Sequence, residues 1–387
     1  MRKTLTHATA QTLCAQIGKI SAASLLAMAT FSVQAAEYKV VLMQSLTGAS
    51  AFIGAPLKDG ALIAVEEVNQ KQLLGPGNTL KVEVADDATD RTQTLSLLRR
   101  YAADPSVLMV MGPTSGAVAV AGAAAANDLK LPVLTTSNSM DVLKAGPWSF
   151  ILTQPGDFTV PHMAHYAADK LKVRNCTVIG INDVEIYLQM QRVFESVVKE
   201  KGVKVGSVES IKGADSDFGA LATKVVNAAP DCVFISATAP QAANIIIQLR
   251  QAGLDPDTKI IGHNAFSSPQ LVERGGKAVE GAYFIGDWVP GGSEAQGKRF
   301  SQAWKAKHKS DADNWAAVGY TGIQIVTAAL KNAGPNPTRE SVRIALGKTQ
   351  DVHVPVGTNK VTYDAERRPN WGMRVLQVKN GGFVQAP

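Results

Sequence analysis

Two clusters of small hydroxyl residues, Thr114-Ser115-Gly116 and Thr135-Thr136-Ser137-Asn138-Ser139, are the stretches of this chain best suited to chemistry. Neither contains a His, Cys, Lys, Arg or carboxylate, so no nucleophile is paired with a base and no metal set is present. The clusters offer donors only. Free backbone N–H groups where a helix starts at Gly116, with the hydroxyls of Ser115, Thr136, Ser137 and Ser139, suit a small anion such as a carboxylate. The plainer reading is that Thr114 or Ser115 caps its own helix and the second cluster caps the next one. Two such clusters at neighbouring strand ends favour a paired site.

The elements around them must bring the clusters together. Residues 108–111 read as an apolar strand stopped by Gly112-Pro113, residues 117–129 as an Ala-rich helix packed closely on a sheet, and residues 132–134 as the next strand. In a parallel sheet the two strand ends share one edge, where open α/β sheets bind ligands. Upstream, residues 38–44 and 80–84 are strands. Between them a helix places Leu57, Ala61, Ala64, Val65 and Val68 at helical spacing, and residues 90–103 form a second helix. Asp86, Asp87 and Asp90 resemble a metal set, but at a strand end before a helix they suit turn and capping roles better.

A second series starts near Asp157, with strands expected at 176–181, 203–210, 232–236, 259–262 and 281–284 and a clear helix at 241–252. Such alternation means parallel sheets with helices on both faces. From about residue 290 the pattern changes to three helices (296–307, 314–332 and 338–346) and then two strand-like segments (360–363 and 373–378). A tail of this kind belongs to no complete βα unit, so the chain is expected to cross between two lobes more than once.

The first 36 residues carry Arg2, Lys3 and Lys19, no acid, and an apolar run over 20–31 ending in Val33-Gln34-Ala35-Ala36, the pattern of a secretory signal cleaved near Ala35 or Ala36. Cys14 lies before that run, outside any lipidation context. The segment holds three of the 39 basic residues and none of the 33 acidic ones, so the remaining chain carries about +3, too mild to imply nucleic acid or a lipid surface. Cys176 and Cys232 each begin an expected strand. An oxidising compartment permits a disulfide between them, and two buried free thiols remain the alternative. Residues 292–298 have the spacing of a phosphate loop, but Arg299 stands where a metal-binding hydroxyl is needed, so they read as a linker. His162 and His165 share one helix face without an acidic or Cys partner nearby, which reads as an exposed face.

Ser45-Leu46-Thr47-Gly48, the Asp86-Asp87 pair, Gly112-Pro113-Thr114-Ser115, the Thr135 to Ser139 strand end and Asn182-Asp183 followed by Tyr187 together resemble periplasmic binding proteins of type I, most closely the leucine/isoleucine/valine-binding group that serves ABC importers. The resemblance covers essentially the whole chain after the signal. It implies two Rossmann-like α/β lobes joined by a three-strand hinge, with residues 37–154 plus 290–357 in the first lobe and 155–289 plus 358–387 in the second. It further implies that Ser115, Gly116, Ser137 and Ser139 hold a ligand carboxylate, that Phe52 and Ile53 cover its side chain, that Tyr187 reaches across on closure, and that Trp288 walls the site or packs the hinge; Thr114, Thr136, Asp157, Thr238 and Asn264 complete the expected ligand-binding set. A monomer in the periplasm that delivers to a membrane permease, without cofactor or catalysis, follows from the same resemblance.

The sequence departs from the amino-acid binders at two positions. Asn264 stands where those proteins place a glutamate for the ligand ammonium, and Thr238 where they place a tyrosine. A neutral amide gives an ammonium no charge compensation, and a buried unpaired charge is costly. The expectation is therefore an aromatic or 2-oxo acid, with a branched-chain or other hydrophobic amino acid as the alternative; Asp157 or Asp183 would then have to replace the missing carboxylate. A ligand-sensing protein and an α/β enzyme are more distant alternatives, the latter limited to Asp157, Asp183 and His263 as chemical groups.

Overall fold

The computed structural model describes residues 35–114, 116–292 and 294–387. The expected signal and Cys14, and also Ser115, lie outside the described residues. In the first lobe β1 (Glu37–Gln44), β2 (Thr79–Asp86), β3 (Val107–Thr114), β4 (Val133–Thr136) and β5 (Ser149–Ile151) form a parallel sheet in the order β2-β1-β3-β4-β5. The helices α1 (Ala51–Gln70), α2 (Arg91–Ala103), α3 (Gly116–Leu129) and α4 (Asp141–Lys144) connect them. Every residue of β3 is buried, as expected of a central strand covered on both faces. The strand does not stop at Gly112-Pro113. Its ladder with β4 shifts register there and resumes with Thr114 opposite Thr136, because a proline removes one donor without ending a strand.

The chain then crosses to α5 (Gly156–Asp169), β6 (Asn175–Ile181), α6 (Glu185–Glu200), β7 (Lys204–Ile211), α7 (Gly219–Asn227), β8 (Cys232–Ser236), α8 (Ala239–Gln251), β9 (Lys259–Gly262), α9 (Pro269–Gly275) and β10 (Tyr283–Gly286). A second crossing leads back to α10 (Ala295–His308), α11 (Asn314–Asn332) and α12 (Arg339–Gly347). Helix α11 lies on α1 of the first lobe at close range. A Cβ on Gly60 would stand 1.9 Å from the Ala316 carbonyl and one on Gly319 would stand 2.0 Å from that of Leu57, so only glycine permits the approach.

A third crossing contains β11 (Val352–His353), β12 (Lys360–Tyr363) and β13 (Pro369–Asn370), a small sheet of its own. It delivers β14 (Arg374–Lys379) and β15 (Gly382–Gln385), which run antiparallel on the edge of a seven-stranded sheet ordered β15-β14-β10-β9-β8-β6-β7. Cys176 and Cys232 face each other across β6 and β8 and are joined as a disulfide in the buried core.

One side chain from each crossing meets in a buried cluster. Gln154 Nε2 donates to the Gly372 carbonyl at 2.9 Å and to Asp287 at 3.4 Å, while its own oxygen accepts from the Trp371 backbone N–H. The Trp371 indole and the Asn314 amide both donate to Asp287, and Asn314 in turn accepts from the backbone N–H groups of Asp287 and Trp288. Burial pushes the Asp287 carboxyl up, and these three side-chain donors oppose the shift.

Candidate functional site

The first-lobe edge is organised by Gln44 at the end of β1, a residue that sequence reasoning passed over. Its Nε2 donates to the Met111 carbonyl, and its Oε1 accepts from Thr114 Oγ1 at 2.6 Å and Thr136 Oγ1 at 3.4 Å. Thr114 Oγ1 also accepts from the Ser45 backbone N–H. The hydroxyl protons of Thr114 and Thr136 thus bind three strand ends to one another. Asp87 sits behind them, accepting from the Ser45 hydroxyl and from the backbone N–H groups of Thr89 and Thr114. Burial raises its carboxyl above the usual range. Asp86 is also penalised by burial, but bonds from Thr47, Ala88 and Leu46 outweigh that and hold it low. Asp90 caps α2 through the Gln93 N–H. All three aspartates therefore serve turns and caps.

What remains free at this edge is smaller and better defined. Gly116 opens the 14-residue α3 with a φ of +60°, and a Cβ there would meet nothing within 4 Å, so the helix start borders open space. Ser137 Oγ accepts from the Ser139 N–H, and Ser139 Oγ accepts from the Asp141 N–H. A hydroxyl that accepts still has its own proton to donate. The hydroxyl protons of Ser137 and Ser139 and the first N–H groups of α3 are accordingly the donors not engaged within this edge. Phe52 and Ile53 lie in the first turn of α1, both at least partly buried.

In the second lobe Tyr187, Thr238 and Asn264 come together at the strand-end edge of the larger sheet. Tyr187 lies in the first turn of α6, and its carbonyl accepts from Ser236 at the end of β8. Thr238 caps α8 through the Gln241 N–H. Asn264 begins a short 3-10 turn directly after β9 and His263. The His263 ring is 1% exposed and lies with its centroid 5.5 Å from that of Tyr187 and 6.4 Å from that of Phe266. Burial pushes the imidazole down to about 4 and the Tyr187 phenol up to about 12, so both rings are neutral at ordinary pH.

Two expected residues are placed elsewhere. Trp288 is 2% exposed, donates its indole N–H to the Ala312 carbonyl and packs edge-on against Phe300, so it packs the second crossing. Asp157 is exposed in the first turn of α5 and lines a groove of about 720 Å³ along the hinge with Phe158, Lys360, Arg368 and Trp371. Its charge helps to raise the Arg368 guanidinium, after the larger effect of Asp364. Asp183 accepts from the Gly213 N–H. Among the described residues no group of three His, Cys, Asp or Glu could hold a metal ion, and no helix is long and apolar enough to cross a membrane.

Residues 37–382 match the family model described as periplasmic binding protein. A Leu/Ile/Val-binding protein of Rhizobium johnstonii is 27% identical over 350 residues, covering 89% of this chain and 92% of that one. Among solved structures, a leucine binding protein of Thermotoga maritima superposes with a TM-score of 0.81 at 24% identity over 90% of this chain and 97% of that one. A solute binding protein of an ABC transporter from Rhodopseudomonas palustris, solved with benzoate, superposes with a TM-score of 0.78 at 18% identity over 90% and 95% of the two chains.

Proposed function

We infer that this chain, which belongs to the periplasmic binding protein family, captures a small organic carboxylate between its two lobes and delivers it to the membrane permease of an ABC importer. The observation that carries this reading is the pair of donor groups at one strand-end edge, the α3 start at Gly116 and the Ser137–Ser139 hydroxyls, on a lobe joined to its neighbour by three chain crossings. Such a hinge allows the second edge, with Tyr187, Thr238 and Asn264, to close on a bound anion. The protein works as a monomer in the periplasm, where the relatives' family acts, and catalyses nothing in doing so.

The relatives shift the choice of ligand. A branched-chain or other hydrophobic amino acid is better supported than the aromatic or 2-oxo acid that Asn264 suggested, since the curated relatives are Leu/Ile/Val-binding proteins. The second reading keeps one specific support: Asn264 and His263 put a neutral amide and a neutral ring at the end of β9, where an ammonium needs a carboxylate. A thermal-shift panel of leucine, valine and phenylalanine against benzoate, phenylacetate and 2-oxo acids tests both, because a ligand at a hundred times its Kd stabilises by about 2.7 kcal/mol. Shifts with amino acids alone remove the second reading. No shift with any carboxylate removes the first as well.

A further inference from the structure

The end of β3 is held in place by a side chain where the backbone ladder gives out. Pairing joins β1 to β3 as far as Leu42 opposite Met111, and the ladder between β3 and β4 is irregular from Met111 to Thr114. Pro113, which has no N–H to give, lies in that interval. The chain must still arrive in one fixed place, because α3 and its first donors begin two residues after Thr114. Gln44 spans the interval from the β1 side. Its Nε2 donates to the Met111 carbonyl before the irregularity at 3.0 Å, and its Oε1 accepts from the Thr114 hydroxyl after it at 2.6 Å. Gln44 and Thr114 are both fully buried, so no water competes for these bonds.

The partners fix which way the amide faces. A carbonyl can only accept, so the Gln44 nitrogen is turned to Met111 and its oxygen takes the threonine proton. The Thr114 hydroxyl is then left accepting from the Ser45 N–H, and the Thr114 N–H points to Asp87 at 3.4 Å. The contact of Thr136 with the same Gln44 oxygen, also 3.4 Å, is long for a hydroxyl donor and adds little beside that of Thr114. Thr136 lies opposite Thr114 in the ladder and leads directly into Ser137, so any shift of the β3 end changes the gap between the two groups of donors. We propose that Gln44 is a positioning residue for ligand binding: without touching the ligand, it sets the start of α3 against Ser137 and Ser139 so that both strand ends meet one carboxylate. This rests on the cleft reading above and deepens it.

The test is calorimetry with leucine and with benzoate, well below the unfolding temperature, on the parent, Gln44→Met, Thr114→Val and Thr114→Ser. Methionine keeps the length of the side chain and loses both bonds. Whichever acid binds the parent should bind Gln44→Met and Thr114→Val about 10-fold more weakly, the scale of one net hydrogen bond. Thr114→Ser, which keeps the hydroxyl, should recover most of that loss. Gln44→Asn, too short to span the same two partners, replaces Gln44→Met if that variant does not fold, and should show the same weakening. Amide spectra of the 15N-labelled protein separate positioning from general loosening. In the Gln44 variant at saturating acid, the ligand-induced shifts of Gly116 and Ala117 should shrink while those of Tyr187 and Asn264 persist. Equal shrinkage on both lobes, or no difference between Thr114→Ser and Thr114→Val, overturns the proposal. So does undiminished or tighter binding by the Gln44 variant, the result expected if Thr114 were itself a ligand donor whose proton the substitution releases. Each of these leaves the carboxylate cleft standing. If neither leucine, benzoate nor any other acid of the thermal-shift panel binds the parent, the cleft reading falls and the proposal with it.

Discussion

The indole N–H of Trp371 donates to Oδ1 of Asp287 at 2.9 Å, tying the third crossing to the second across 84 residues of chain. Gln154 of the first crossing shares the same carboxylate, so all three connections between the lobes converge on one buried group. Asp287→Ala would strand the Trp371 and Asn314 donors in a dry site, and each buried donor left without a partner costs about 1–3 kcal/mol. The urea midpoint should fall accordingly. An unchanged midpoint would show that the crossings are held by something else.

Ligand anchoring should depend on Ser137 and Ser139. A hydrogen bond to a charged group contributes about 1.5–3 kcal/mol, so Ser137→Ala or Ser139→Ala should raise the Kd of the natural carboxylate roughly 10- to 100-fold. Thr136→Val serves as the contrast, because its hydroxyl is already spent on Gln44. Titration calorimetry that finds both serine variants at parental affinity places the carboxylate elsewhere.

The disulfide should contribute to stability in proportion to the loop that it closes. Its cysteines are 56 residues apart, for which the loss of chain entropy in the unfolded state amounts to about 4 kcal/mol, with measured cases commonly at 2–4. A double Cys176→Ala/Cys232→Ala variant, compared with the oxidised parent in urea, should show a loss of that order. Equal midpoints would mean that native packing already supplies the constraint.

His263 gives stability a pH dependence with a definite sign. Its folded value, about 4, lies below the unfolded value of 6.5, so between these limits the unfolded chain binds more protons than the folded one. Stability from this group is therefore complete above about pH 6.5 and is lost as the pH falls toward 4, on the order of 3 kcal/mol in all. Tyr187, the titratable ring that faces it, stays neutral throughout that window. The difference in unfolding free energy between the parent and His263→Gln, followed from pH 7 to pH 4, should shrink as the pH falls. A constant difference would contradict the burial of the ring.

Much of the architecture was legible because its signals are periodic. The helix Asn314–Asn332 agrees with the sequence reading residue for residue, helped by the Asp313 cap and a sequence whose side chains are buried at most positions. The short pieces escaped. Strand β5 has three residues, and β11 and β13 have two each, too few for any alternation to register. At the site, the hydroxyl clusters were visible as donors, but sequence alone cannot say which hydroxyls the protein uses on itself. Gln44 decided that for Thr114 and Thr136 from 70 and 92 residues away. His263 was noticed only as a possible base; the burial beside the Tyr187 and Phe266 rings that keeps it neutral comes from packing that sequence spacing does not show.

The position of β14 has a consequence for how the chain comes into being. As the polypeptide emerges from its N-terminus, the larger sheet can assemble from β6 to β10 and then must wait through three further helices and the third crossing. During that interval β10, whose Phe284 and Ile285 are fully buried in the finished protein, is a bare edge with unpaired backbone groups. Only the last residues, Arg374–Lys379 and Gly382–Gln385, seal it. A chain cut short before Arg374 would keep the strand-end residues Ser137, Ser139, Tyr187, Thr238 and Asn264 and still carry an open strand template for aggregation, so integrity of the tail should govern solubility independently of binding.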